Sequence, residues 1–134
     1  MRAYLNLAVS DLPRTRVFFL ALGFKVNEQF CDEATLAFDL SESSGVMFLS
    51  QTKFAPFTPH RITNAHEESE ILTALQLETR EAVDKMASAA LSNGGNEIRN
   101  PEDHGFMYTR AFADPDGHIW EPFWMNMEAM EART

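Results

Sequence analysis

Asp114-Pro115-Asp116-Gly117-His118-Ile119-Trp120-Glu121 is the stretch on which the fold turns. Pro presets its own φ, Asp bonds the backbone beyond it, and Gly takes the positive φ that closes a turn. On either side lie strand patterns, Phe106 to Ala113 before and His118 to Met125 after. Working backward, Glu97 to Asn100 reads as a shorter strand, and Asn93-Gly94-Gly95 ends a helix. That helix has Thr79 as its N-cap and an apolar stripe at Val83, Met86, Ala87, Ala90 and Leu91. Ile71 to Leu77 precedes it as a strand. The order in this half is βαβββ.

The first half follows the same plan. Ala3 to Val9 alternates as a strand. Asp11 stands as N-cap to a helix with Pro13 in its first turn, and Val17, Phe18 and Ala21 form its apolar stripe. Gly23 ends it. Phe24 to Phe30, Thr35 to Leu40 and Val46 to Ser50 read as three further strands, separated by Asp32-Glu33 and by Ser41 to Gly45. The two helix starts lie about 68 residues apart, so the chain reads as a duplicated βαβββ unit. The expected organisation is one α+β domain over 1–134, with module 1 at about 1–51, a linker at about 52–69, module 2 at about 70–125 and a tail at 126–134. The linker carries Phe54, Pro56, Phe57 and Pro59, which suit a lid or a connector docked on the core. The tail reads as a short polar helix or a fraying end.

Composition narrows the function. A chain of 134 residues with 45% hydrophobic content buries a real core. The net charge of -9 and the lack of a Lys/Arg cluster exclude a nucleic-acid partner. No apolar run approaches the roughly 18 residues of a membrane span, and the N-terminus has no signal-peptide pattern. One cysteine, Cys31, forms no internal disulfide. The expected compartment is the cytoplasm.

The Asp11-Leu12 turn, the Leu22-Gly23-Phe24 helix end and the run Phe112-Ala113-Asp114-Pro115-Asp116-Gly117-His118, followed by a strand carrying Glu121, form a set. In this order the chain resembles the vicinal oxygen chelate superfamily of glyoxalases, bleomycin-resistance proteins, extradiol dioxygenases and fosfomycin-resistance enzymes. Asp103-His104-Gly105-Phe106-Met107-Tyr108 also resembles a run in hypothetical members of that superfamily. The resemblance implies two curved mixed sheets, each forming half of a cavity. It implies a divalent metal held by one residue from each of four strands, acting as a Lewis acid on a substrate with two neighbouring oxygens.

Carried onto this chain, the four ligand positions fall at Tyr4, at about Phe48, at about Leu72 and at Glu121. Only Glu121 is a ready ligand. Tyrosine holds its proton with a pKa near 10, and Phe and Leu have nothing to donate. Glu121 is therefore the metal residue only if a metal is bound, and a divalent metal is disfavoured. The Arg that glyoxalases use for their thiol cofactor is replaced by Ala8, so lactoylglutathione lyase activity is disfavoured too. The resemblance lines the cavity with Tyr4, Asn6, Val46, Phe48, Leu72, Ala74, Met107, Thr109 and Glu121, with Phe123 deeper. This is an apolar pocket with a few orienting polar groups. Glu121 in such surroundings suits general acid/base work or the grip of a cationic ligand. Asp103 reads as a turn-stabilising residue and His104 as exposed, Arg110 as helix-facing beside an acidic residue, and Trp120 and Trp124 as packed on the face opposite Glu121. The leading expectation is a cytoplasmic homodimer that binds or modifies a small organic ligand in a metal-poor cavity. Two alternatives stand beside it: a metal-dependent lyase, isomerase or dioxygenase using Glu121 with non-standard ligands, and a non-catalytic interaction protein.

Overall fold

The fold is drawn from a computed structural model that describes residues 1–131. The chain divides into two compact units, Met1–Asn64 and Ala65–Thr134, so the boundary falls inside the expected linker. The first unit holds β1 (Ala3–Val9), α1 (Leu12–Ala21), β2 (Lys25–Val26), β3 (Thr35–Ser41), β4 (Ser44–Ser50) and a short α2 (Gln51–Phe54). The second holds β5 (Leu72–Gln76), α3 (Arg80–Ser92), β6 (Asn96–Asp103), β7 (Met107–Ala113), β8 (Ile119–Met125) and a short α4 (Met127–Glu131). The duplicated βαβββ plan and the α+β class are thus observed.

The sheets match strand for strand. Their orders are β1-β4-β3-β2 and β5-β8-β7-β6. In each, the first strand pairs in parallel with the last and the rest are antiparallel. Each sheet is open, with its first and second strands at the edges.

The first core packs α1 against one face of its sheet. The Asp11 side chain accepts from Arg14 N at 3.0 Å, as the N-cap reading requires. The buried stripe is Thr15, Phe18, Phe19 and Leu22, whereas Val17 is 64% exposed and Ala21 also faces out. The expected stripe was therefore rotated toward solvent. Phe19 stacks on Phe48 with centroids 4.7 Å apart, and touches Phe24 and Phe38 as well. The strand expected over Phe24 to Phe30 shrinks to Lys25–Val26. After Asn27, whose N–H donates to Ala37 O, a 3-10 turn takes over Glu28–Phe30.

In the second unit, Thr79 caps α3 by accepting from Ala82 N at 3.0 Å, and Val83, Ala87 and Ala90 are buried. Leu91, placed in the stripe by its spacing, is 40% exposed because it lies in the last turn. Strand β6 runs three residues beyond the expected Asn100, carried past Pro101 by register shifts against β7. The linker is not structureless: Ser50 caps α2 by accepting from Lys53 N, and a 3-10 turn covers Ala55–Phe57. Residues 132–134 of the expected tail lie outside the described residues.

Candidate functional site

The Asp-Pro-Asp-Gly turn is built around one buried carboxylate. Asp114, 2% exposed, accepts from Asp116 N at 2.9 Å and His118 N at 3.0 Å on Oδ1, and from Trp120 Nε1 at 3.0 Å on Oδ2. Burial pushes its carboxyl above the usual range, and the three donors work against that push. Gly117 has φ +93°, and a Cβ there would meet Ala65 C and His66 N at 2.7 Å. The end of the linker thus lies directly on the turn. This construction fixes where β8 begins and which way Glu121 points.

Strand alternation and register then define two faces of the second sheet. Trp120, Pro122 and Phe112 are buried, and with Tyr108 and Arg110 they share the α3 side. Tyr108 donates to Asp84 of α3 at 2.6 Å, and Arg110 bonds Asp84 and Glu97 at 3.2 and 3.1 Å. The opposite face carries Leu72, Ala74, Ile119, Glu121, Phe123, Met107, Thr109 and Ala111. Trp120 and Arg110 therefore stand where the sequence put them, away from Glu121.

Glu121 is not surrounded by hydrocarbon. Its Oε2 accepts a hydrogen bond from Arg99 Nη2, with the two side chains 18% and 36% exposed. Arg99 lies on β6 opposite Ala111, and Ala111 lies opposite Glu121 by the β7–β8 register. The guanidinium therefore reaches across β7 over a small side chain, and Ala111 is 1% exposed beneath it. Arg99 Nε also donates to Glu102 Oε1 at 2.9 Å, and His104 Nε2 stands 3.5 Å from Glu102 Oε2. The Glu121 and then the Glu102 bond hold the guanidinium charged, with its pKa above the ordinary value. Sequence reasoning passed over Arg99. The signal was a lone arginine among acidic residues on a strand neighbouring the Glu121 hairpin.

His104 is half exposed, and Asp103 belongs to a clasp that holds the turn, as expected. Asp103 takes a bidentate bond from Arg80 at 2.8 and 2.9 Å and accepts from Gly105 N at 2.9 Å. Those bonds bring its pKa down to about 2. Arg80 also stacks over Tyr108 and Trp124, at 5.2 and 5.0 Å from their centroids.

In the first unit, Tyr4 and Asn6 stand on the face away from α1. The Tyr4 ring lies over Gly45, where a Cβ would meet it at 3.1 Å. Phe48 is not with them. It is fully buried on the α1 side, as is Val46. The residue paired with Asn6 and sharing its face is Met47. The two units also correspond: Asn6 pairs with Met47 in one as Ala74 pairs with Glu121 in the other. The residue of the first unit that corresponds in register to Glu121 is thus Met47, one residue from the expected Phe48. A hollow of about 410 Å³ opens at the ends of β5 and β8, lined by Gln76, Leu77, Glu78, Trp124, Met125 and Met127. It lies toward the C-terminal end of β8 from Glu121, and Glu78 and the Arg80 stacked over Trp124 bring charge to its edge.

The donor set does not fit a resident divalent metal. Of the expected ligand positions, Tyr4, Phe48 and Leu72 offer no ready ligand, and Glu121 already faces a guanidinium. Among the described residues no group of three His, Cys, Asp or Glu side chains is placed to hold a metal ion.

The family model described as the Glyoxalase/Bleomycin resistance protein/Dioxygenase superfamily matches residues 2–121. No curated protein matches the chain. Among solved structures, a hypothetical protein from S. aureus is 26% identical, with 90% of this chain and 91% of that chain covered and a TM-score of 0.78. A glyoxalase/bleomycin resistance protein/dioxygenase family enzyme from Burkholderia phytofirmans PsJN is 20% identical, with 91% and 96% covered and a TM-score of 0.73. The bleomycin resistance determinant encoded on the transposon Tn5 is 20% identical, with 93% and 98% covered and a TM-score of 0.62.

Proposed function

We propose that this chain, which belongs to the Glyoxalase/Bleomycin resistance protein/Dioxygenase superfamily, binds a small organic ligand without a divalent metal. The observation that carries the proposal is the Arg99–Glu121 pair. At the one ligand position this chain retains, the cation facing the carboxylate is part of the protein. A metal would have to displace a guanidinium held by two carboxylates, and would then find only one conventional ligand. The contact residues proposed in the second unit are Glu121, Arg99, Thr109, Met107 and Leu72. Apolar side chains supply contact area there and a few polar atoms supply orientation. Glu121, partnered as it is, acts as an anchor for the ligand.

The test is thermal melting against a panel of small organic compounds, each run with and without EDTA. The proposal expects a compound that raises the melting temperature equally in both. A shift that disappears with EDTA contradicts it, and so does a panel without any response. The protein is proposed to act as a cytoplasmic homodimer. Val17, 64% exposed on the outer side of α1, supports an apolar contact between copies, and light scattering at twice the chain mass of 15.2 kDa is the expected reading. No helix among the described residues is long and apolar enough to cross a membrane.

A further inference from the structure

The hollow at the ends of β5 and β8 opens where the parallel pairing of those strands stops. Their register ends at Gln76 and Phe123, and Leu77 N makes the last bond, to Phe123 O at 2.8 Å. Asn126 N bonds Phe106 O on the β7 side, so by alternation Met125 N faces β5. The next rung of a parallel ladder would join Met125 N to Leu77 O, and neither atom has a partner among the described residues. The chain parts there, β5 leading into α3 through Thr79 and β8 into α4 through Asn126. The space between them, about 410 Å³, is of the size that holds small molecules. Crevices beyond the carboxyl ends of diverging parallel strands are ligand sites in α/β sheets for the same geometric reason. Met125 lies four residues beyond Glu121 on β8, about 13 Å along an extended strand. The hollow is therefore a second place on this unit, apart from the Arg99–Glu121 pair.

Among the residues that line the hollow, Glu78 carries the only charge. It is exposed and has no ion-pair partner among the described residues. Arg80, with its guanidinium 5.0 Å from the Trp124 ring centroid, gives both of its ends to Asp103, at 2.8 and 2.9 Å, and one of them also to Gly105 O. That pair is neutral as a unit, so Glu78 sets the sign of the hollow. The hydrogen-bonding atoms agree. Gln76 spends an amide N–H on Met127 Sδ at 3.5 Å, which leaves its oxygen as an acceptor beside the Glu78 carboxylate and Leu77 O. These outnumber the one open backbone donor, Met125 N. Leu77, Trp124 and the two methionines supply apolar contact, and thioethers adapt to irregular shapes. We infer that this hollow binds an organic ammonium ion, an N–H-bearing cation on an apolar body, with the ammonium at Glu78 and the body against Trp124, Met125 and Met127.

Phenethylamine, phenethyl alcohol and hydrocinnamate share a phenyl body and are a cation, a neutral molecule and an anion at neutral pH. Each is titrated into the full chain in EDTA and followed by backbone amide and indole N–H NMR shifts. The expected result is phenethylamine binding about tenfold more tightly than the other two, with shifts at Leu77, Glu78, Trp124 and Met125. Glu78→Gln, a change at an exposed side chain checked for folding by its spectrum, is expected to bring the amine down to the affinity of the alcohol. An affinity unchanged by Glu78→Gln overturns the inference, the binding then being the diffuse pull of a chain with net charge -9. Equal or tighter binding of the alcohol or the acid overturns it, as do shifts centred on Glu121 and Ala111 or no shift at all. The reading of the Glu121 face is tested separately, by the wider panel run with and without EDTA.

Discussion

Gly117 shows how much a single residue carries here. Its positive φ is shared with Gly23, Gly94 and Gly105, but of these only Gly117 has backbone where a Cβ would stand, that of Ala65 and His66. Gly23→Ala is expected to cost about 1 kcal/mol, the ordinary penalty for φ > 0. Gly117→Ala adds the collision and is expected to cost more than about 2 kcal/mol, both read by chemical denaturation. Asp103 gives a pH prediction. Its carboxyl is near pKa 2 when folded, mainly through the Arg80 bond, and ordinary when unfolded. A folded pKa below the unfolded one adds stability above pH 4 that is lost as pH falls toward 2. Asp103→Asn should therefore melt below wild type at neutral pH, the gap closing between pH 4 and 2. A gap that persists at pH 2 contradicts the assignment. The face on which Glu121 stands was legible because the turn before it has a residue-level signature. Arg99 was not, since nothing local says that a side chain reaches over Ala111 to a strand that is not its neighbour. Phe48 was misplaced by one because Gly45-Val46-Met47-Phe48-Leu49 is apolar on both faces, so alternation fixes no register.

Among the elements, the helices and the caps were readable and the edges of the sheets were not. Asp11 and Thr79 cap as their chemistry demands, and both helices end at glycine. Yet α1 buries Phe19 and exposes Val17, because a short helix with apolar residues around much of its surface leaves the buried face to tertiary packing. Phe19→Ala is expected to cost about 3–5 kcal/mol, since it removes the ring that joins Phe24, Phe38 and Phe48. Val17→Ser should stay within about 0.5 kcal/mol. Equal effects at the two positions contradict this packing. Strand β2 fell short for a related reason: Phe24 and Phe30 mimic alternation, but the Asn27 and Glu28 carbonyls accept from Phe30 N and Cys31 N, and the chain turns.

For the whole molecule, the duplicated topology was the most secure reading, because periodicity, caps and turn glycines agreed twice over. The reaction was the least secure, because one fold hosts many chemistries and the site decides among them. Here the site keeps one carboxylate of an expected four-ligand set and gives it an arginine. The most direct measurement is the metal content of freshly purified protein, by elemental mass spectrometry, with and without Glu121→Gln. The account predicts far less than one equivalent of any divalent metal in both. One bound metal per chain, lost when Glu121 is replaced, would contradict it.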